Sequence, residues 1–200
     1  MKITKIIKKI KKNVFKIMFK FADYENKEKM LRKICYYVGN NTRICNNDFG
    51  EEPYMIYIGS NVIVAAGVKF VEHDASFLNV CRYNEVSSKE YEKIGPIILR
   101  DNCFVGGYSI LLQGADVGEN SIIAAGSVVN KKVPANEVWG GVPAHFIMNI
   151  SDYWEKVEIK NRELPWFGRQ DTYSEKYLIK LRQDFFYDKK LNMKRKTYKE

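Results

Sequence analysis

Aliphatic residues recur at every sixth position through the middle of the chain: Leu99, Val105, Leu111, Val117, Ile123 and Val129. Four positions after each stands a small or slim residue: Cys103, Ser109, Ala115, Ser121, Ser127 and Val133. One position after, Gly106, Gly118 and Ala124 recur. Two earlier blocks keep the period in their own registers. One has Ile58, Val64 and Phe70, followed four positions on by Val62, Val68 and Asp74; the other has Val38 and Ile44, followed by Thr42 and Asp48. A period of six fits neither the 3.6 of an amphipathic helix nor the plain alternation of a half-buried strand. It fits a short strand and a tight turn, three of which close a triangular coil. The aliphatic residue points inward, the small residue lets the chain turn the corner, and successive coils stack as parallel strands. The pattern predicts a parallel β-helix, an all-β core.

The flanks have another rhythm. Ile3, Ile6, Ile7, Ile10, Val14, Ile17, Met18 and Phe21 fall at helical spacing with lysines between them, which predicts an amphipathic helix over 1–21. Two interruptions break the hexads, Gly50 to Tyr57 and the charged, aromatic-containing stretch from Ser76 to Pro96. A loop as long as the second, inside a regular solenoid, is expected to be functional, and it begins just after His73. Beyond Pro134 the pattern ends in Trp139-Gly140-Gly141-Val142-Pro143-Ala144, and residues 150–160 and 173–186 read as helices. From Lys189 the chain is basic and weakly apolar. The expected organisation is a basic helical segment (1–30), a β-helix domain (31–147) with an active-site loop (76–96), and a C-terminal helical extension (148–200).

Charge sharpens this picture. The chain has 200 residues and a net charge of +9, and residues 1–20 carry eight lysines and no acid. The basicity therefore belongs to the N-terminal helix and not to the β-helix. Two readings of that helix stand: its apolar face packs on its own domain or a neighbouring subunit, or it lies on an anionic membrane surface. Nucleic-acid binding is not expected, because no second basic patch interleaved with aromatics appears before the last dozen residues. No apolar run is long enough for a transmembrane span, and the N-terminus lacks a signal-peptide pattern. Four cysteines without CxxC spacing then read as reduced thiols in a cytoplasmic protein, possible contact with the inner face of the cell membrane being peripheral. A zinc site of the carbonic anhydrase type takes three histidines, and this chain has two, His73 and His145; no metal is expected.

Three stretches carry a resemblance: FVEHDAS (Phe70 to Ser76), GPIILRDNCFVGGYSILLQGADVGENSIIAAGSVVNKKVP (Gly95 to Pro134) and GGVPA (Gly140 to Ala144). There the chain resembles the hexapeptide-repeat acyltransferases, in the branch with maltose, galactoside and polysaccharide O-acetyltransferases. The resemblance runs from about Val38 to Ile147. It implies a left-handed parallel β-helix, a homotrimer, and acetyl-CoA bound between adjacent subunits. Three positions depart from the family's common residues: Arg100 stands for Gly, Phe104 for Trp, and His145 for Lys or Arg.

Acetyl transfer from a thioester to a hydroxyl needs a base, an oxyanion donor and a surface for a long cofactor. Histidine titrates near neutral pH, and the resemblance gives the base role to His73. Its tautomer needs fixing by Glu72, Asp74 or a backbone carbonyl. His145 stands at the cofactor mouth or is structural. By resemblance, the N–H of Gly107 is the oxyanion donor, Phe104 lies on the cofactor, and the backbone of Ala125, one coil later, bonds the pantetheine arm. The pair Lys131 and Lys132 suits the phosphates of coenzyme A. Each has a plainer alternative: a structural histidine, a glycine required by its turn, solvated surface lysines. Asp74 and the loop residues Asn79, Arg82, Tyr83 and Asn84 offer hydrogen-bonding and stacking groups for a carbohydrate. The expected function is O-acetylation of a sugar hydroxyl by direct attack in a ternary complex, in surface polysaccharide biosynthesis (capsule, O-antigen or exopolysaccharide), on the polysaccharide or its lipid-linked precursor. An antibiotic O-acetyltransferase and a noncatalytic β-helix scaffold are the alternatives.

Overall fold

A computed structural model describes residues 2–46, 48–163 and 167–168. Two helices lead, α1 (Lys2–Phe21) and α2 (Tyr24–Leu31). Strands then follow coil by coil: β1 (Tyr37–Val38) and β2 (Arg43–Ile44); β3 (Ile56–Ile58), β4 (Ile63–Val64) and β5 (Lys69–Val71). After the long insertion, which holds α3 (Phe77–Tyr83), come β6 (Ile97–Leu99), β7 (Phe104–Val105) and β8 (Ile110–Leu112). The last turns are β9 (Asp116–Val117), β10 (Ile122–Ile123), β11 (Val128–Val129), β12 (Lys132–Val133) and β13 (Glu137–Gly140). β14 (His145–Asn149) returns antiparallel on β13, and α4 (Ile150–Arg162) follows.

Three sheets form the sides of a triangular prism. The first has the order β1-β3-β6-β9-β12, the second β14-β13-β10-β7-β4-β2, the third β11-β8-β5, and every pairing except β13 with β14 is parallel. The register shows one coil per three hexads: Leu99 pairs with Val117, Val105 with Ile123 and Leu111 with Val129. All six of these aliphatic side chains are fully buried. The small residues at the corners are buried too, and the serines among them do more than avoid a clash. Ser109, Ser121 and Ser127 donate their hydroxyls to the carbonyls of Ala124 (3.1 Å), Pro134 (2.7 Å) and Ala124 (2.6 Å). Corner carbonyls that a buried turn would leave unpaired are thereby satisfied.

Among the described residues the first coil has no strand on the third side, and aromatic packing lies there. Phe19 of α1 is fully buried, stacked on Phe15 at 5.6 Å and edge-on to Phe49 at 5.5 Å. Phe49 in turn packs on Phe70 of β5 at 5.6 Å. The end of α1 is thus seated on the core, while Ile10, Val14, Ile17, Met18 and Phe21 point away from it; Ile17 is 61% and Phe21 81% exposed. The chain divides into two compact units, Met1–Tyr153 and Trp154–Glu200, so the basic helix belongs to the β-helix unit. The helix expected at 173–186 and the basic stretch from Lys189 lie outside the described residues. Among the described residues, no helix is long and apolar enough to cross a membrane.

Candidate active site

Strand alternation sends Glu72 inward and His73 outward just past β5, where the third sheet turns into the first. The long insertion starts there and closes on itself. Asp74 N–H donates to the Lys93 carbonyl at 2.8 Å, His73 bridges to Ile94, and the Lys93 ammonium binds the Asp74 carboxylate. That hydrogen bond from Lys93 holds the Asp74 carboxyl down to about 2, so Asp74 is ionised at any working pH.

His73 Nδ1 lies 2.6 Å from Glu52 Oε2. A carboxylate accepts only, so Nδ1 carries a hydrogen, and in the neutral imidazole it is Nε2 that has the lone pair. Nε2 has no protein partner among the described residues. The ring opens on a cavity of about 680 Å³ lined by Val71, Asp74, Lys93, Leu112, Gln113 and Asn130 besides His73 itself. The orienting group is therefore neither Asp74 nor Glu72. Glu52 comes from the first interruption of the hexads, 21 residues upstream, and the register break at Gly50 to Tyr57 was its only sequence signal. Lys93, Gln113 and Asn130 also line the cavity without having been singled out.

Of the acceptor residues expected in the loop, Asp74 lines the His73 cavity. Asn79, Arg82 and Tyr83 belong to α3, and Asn84 caps its end; none of the four lines that cavity. Arg82 donates to Asn79 at 3.2 Å and Asn84 to the Val80 carbonyl at 2.8 Å, while Tyr83 points to solvent.

Gly107 sits at a different corner, where the second sheet turns into the third. Tyr108 N–H donates to the Ala66 carbonyl below, and Gly126 N–H to the Gly107 carbonyl from above, so Ala66, Gly107 and Ala125 stand along one edge of the prism. Among the described residues, neither the Gly107 nor the Ala125 N–H donates to a backbone carbonyl. A Cβ at Gly107 would come within 3.2 Å of the Ala66 oxygen. Phe104 adjoins this edge, on the outer face of the second sheet between Ile63 and Ile122. The next residue, Tyr108, is left-handed (φ 60°) where the neighbouring coils place Gly67 and Gly126, and its exposed ring lies over Gly67. Lys131 and Lys132 return to the His73 edge, higher up the prism. Lys131 covers the Trp139 ring at 5.2 Å, and Lys132 points outward opposite Asp116. His145 opens β14, exposed, with Nδ1 3.3 Å from the Pro143 carbonyl.

His73 and Gly107 thus occupy different edges of one chain. His73 lies seven residues past Ala66, the neighbour of Gly107, across the full width of the third sheet. At about 3.3 Å per extended residue this separation is on the order of 20 Å. Among the described residues, no group of three or more His, Cys, Asp or Glu side chains could hold a metal ion.

Residues 96–131 match the family described as "Bacterial transferase hexapeptide (six repeats)". The protein CapG of Staphylococcus aureus is 34% identical over 172 residues, covering 83% of this chain and 94% of CapG. The chain is a hexapeptide-repeat transferase. The galactoside O-acetyltransferase of Escherichia coli K12 is 30% identical over 120 residues, 57% of each protein. The chain therefore spans nearly all of CapG but little more than half of that enzyme. The crystal structure of a maltose O-acetyltransferase from Clostridium difficile 630 superposes with a TM-score of 0.50 at 25% identity, over 69% of this chain and 83% of that one. Among hexapeptide-repeat transferases the triangular prism is a left-handed β-helix, and this chain shares it.

Proposed function

We propose that this hexapeptide-repeat transferase is an acetyl-CoA-dependent O-acetyltransferase that modifies a sugar hydroxyl in surface polysaccharide biosynthesis. One observation carries the reading: a histidine that lines an open cavity and whose Nδ1 is held by a carboxylate. Acetyl-CoA supplies the activated acetyl group. His73 Nε2 takes the proton of the acceptor hydroxyl as its oxygen attacks, and Glu52 stabilises the imidazolium that forms. The undonated N–H of Gly107 is placed to stabilise the oxygen that gains negative charge. Ala125 offers the next free N–H along the same edge, beside Phe104, and Lys131 with Lys132 offers positive charge to phosphates.

His73 and Gly107 lie too far apart to serve one reaction within one protomer. A homotrimer with cyclic symmetry brings the His73 edge of one copy beside the Gly107 edge of the next and repeats the site three times. The lysine-rich sequence of α1, with Ile10, Val14, Ile17, Met18 and Phe21 exposed, supports peripheral attachment to an anionic membrane, where lipid-linked acceptors reside.

His73→Ala tests the assignment directly. With acetyl-CoA and an accepted sugar, turnover is expected to fall on the order of 10²- to 10⁴-fold with coenzyme A affinity and oligomeric state preserved. Near-normal turnover would overturn it.

A further inference from the structure

The outer face of the first sheet carries a second concave site. Its outward row runs Tyr37, Tyr57, Ile98, Asp116 and Lys132 in register. Tyr37 and Tyr57 stack with ring centroids 4.8 Å apart and planes 16° apart. Arg100 is held flat against this face by two 2.8 Å bonds to Asp116. Tyr36, Tyr54, Met55 and Pro96 rise beside the row and, with Tyr57, Ile98 and Arg100, enclose a groove of about 490 Å³. Tyr36 is 78% and Tyr54 58% exposed, so aromatic surface is held open to water.

The walls of this groove are the inserts that build the catalytic corner. Tyr54 and Met55 lie in a single helical turn that begins directly after Glu52, the residue bonded to His73. Pro96 ends the long loop, and its neighbour Gly95 donates to the Glu72 carbonyl at 2.9 Å, one residue from His73. The groove therefore lies around the corner from the His73 cavity; no residue lines both, but these two chain segments reach from one to the other.

We propose that this groove is an acceptor-chain subsite: it binds the sugar residues flanking the one that is acetylated, so the acceptor is an oligosaccharide or polysaccharide and not a lone sugar. The proposal rests on the O-acetyltransferase reading. A pyranose ring has an apolar C–H face and a rim of hydroxyls. Exposed tyrosine rings offer the matching flat apolar surface, and phenols and a guanidinium at the rim offer the hydrogen bonds. Asp116 neutralises Arg100, which suits uncharged sugar residues over polyanionic ones. Ligand sites have this character, concave and mostly apolar with a few fixed polar groups.

The experiment measures kcat and KM with acetyl-CoA on p-nitrophenyl β-galactoside, p-nitrophenyl N-acetylglucosaminide and N-acetylglucosamine oligomers of increasing length. It compares the wild type with Tyr36→Ala, Tyr54→Ala and Tyr54→Trp. The wild type is expected to prefer longer acceptors. The two alanine variants should lose that preference about tenfold or more, through KM, with turnover of the monosaccharide unchanged. Tyr54→Trp, which keeps a stacking surface, should retain it. Wild-type turnover that is indifferent to chain length overturns the subsite, and so do alanine variants that weaken short and long acceptors alike. A change of mass in light scattering for Tyr36→Ala or Tyr54→Ala would reassign the face to contacts between copies of the chain. Wild-type turnover of a monosaccharide upholds the acetyltransferase reading whichever way the groove decides; its loss in His73→Ala alone tests that reading.

Discussion

Two adjacent residues, Glu72 and His73, split by strand alternation, show how the corner handles charge. His73 points out and meets Glu52; Glu72 points in, is almost fully buried, and its Oε1 finds no hydrogen-bond partner among the described residues. Its carboxyl lies against Gly50, whose left-handed φ of 67° and lack of a side chain admit it: a Cβ there would overlap Oε1 and Oε2. Burial pushes the Glu72 carboxyl above the ordinary glutamate value of 4.5, opposed in part by backbone N–H groups at Glu72, Glu52 and Glu51. The sign of the consequence is fixed by linkage. Between the unfolded value and the raised folded value the native state holds more protons than the unfolded chain, so stability falls as pH rises through that window. Glu72→Gln keeps the shape and removes the titration. The variant is expected to melt with the wild type near pH 4.5 and above it at pH 8, each kcal/mol appearing as about 2–4 °C. Thermal melts across this range check it; a variant that melts lower at pH 8 would mean that the ionised carboxylate is itself a stabilising acceptor.

At the scale of elements, the hexad positions made the β-helix legible, because an inward side chain every six residues leaves a trace in composition. Corner chemistry left a fainter one. Asn41, Asn61, Asn102, Asn120 and Asn136 all adopt left-handed backbone, φ 57–63°, and form a ladder of amide bonds of 2.8–3.1 Å up one edge. Asparagine tolerates this conformation better than other residues with a side chain, and its amide pairs with the coil above. The recurrence was present in the sequence, but only the fold says that these asparagines share an edge. Glu52 was illegible for a different reason: an insertion's reach is not encoded in any period. The N-terminal helix was half legible, since periodicity gives an apolar face without saying what covers it. The structure leaves that face outward wherever it is described, at Ile10, Val14, Ile17, Met18 and Phe21, and seats the helix through Phe15 and Phe19, which the periodicity did not include, with Phe19 against Phe49. The helix therefore packs on protein with a different side from the one it offers to lipid. Intact protein is expected to float with anionic vesicles at low salt and to release as salt rises, because screening weakens lysine attraction. Ile17→Asp with Phe21→Asp should abolish flotation while leaving the melting temperature within a few degrees. Failure of the intact protein to float would leave packing as the helix's sole role.

For the whole molecule, the decisive fact is that one prism presents His73, the proposed base, and Gly107, the proposed oxyanion donor, on different edges, on the order of 20 Å apart. On that proposal a single chain has both halves of the machinery and no complete site. If neighbouring copies supply the halves to each other, two inactive variants should rescue one another. His73→Ala removes the base; Gly107→Val puts a side chain where the Ala66 oxygen already lies 3.2 Å from a Cβ, and blocks the thioester's approach. Each alone is expected to be nearly inactive. In trimers assembled at random from equal amounts of both chains, a site needs an intact His73 from one copy and an intact Gly107 from the next. Each condition is met half the time, so activity should return to about one quarter of wild type in the unfractionated mixture, and to about one third in purified trimers that carry both chains, which have one complete site of three. A site built within one protomer predicts no recovery, since every chain then carries one defect. Co-expression of the two variants, purification of the mixed assembly through separate tags and an acetyl-transfer assay distinguish these outcomes, and light scattering on the same sample reads whether the active species is three chains.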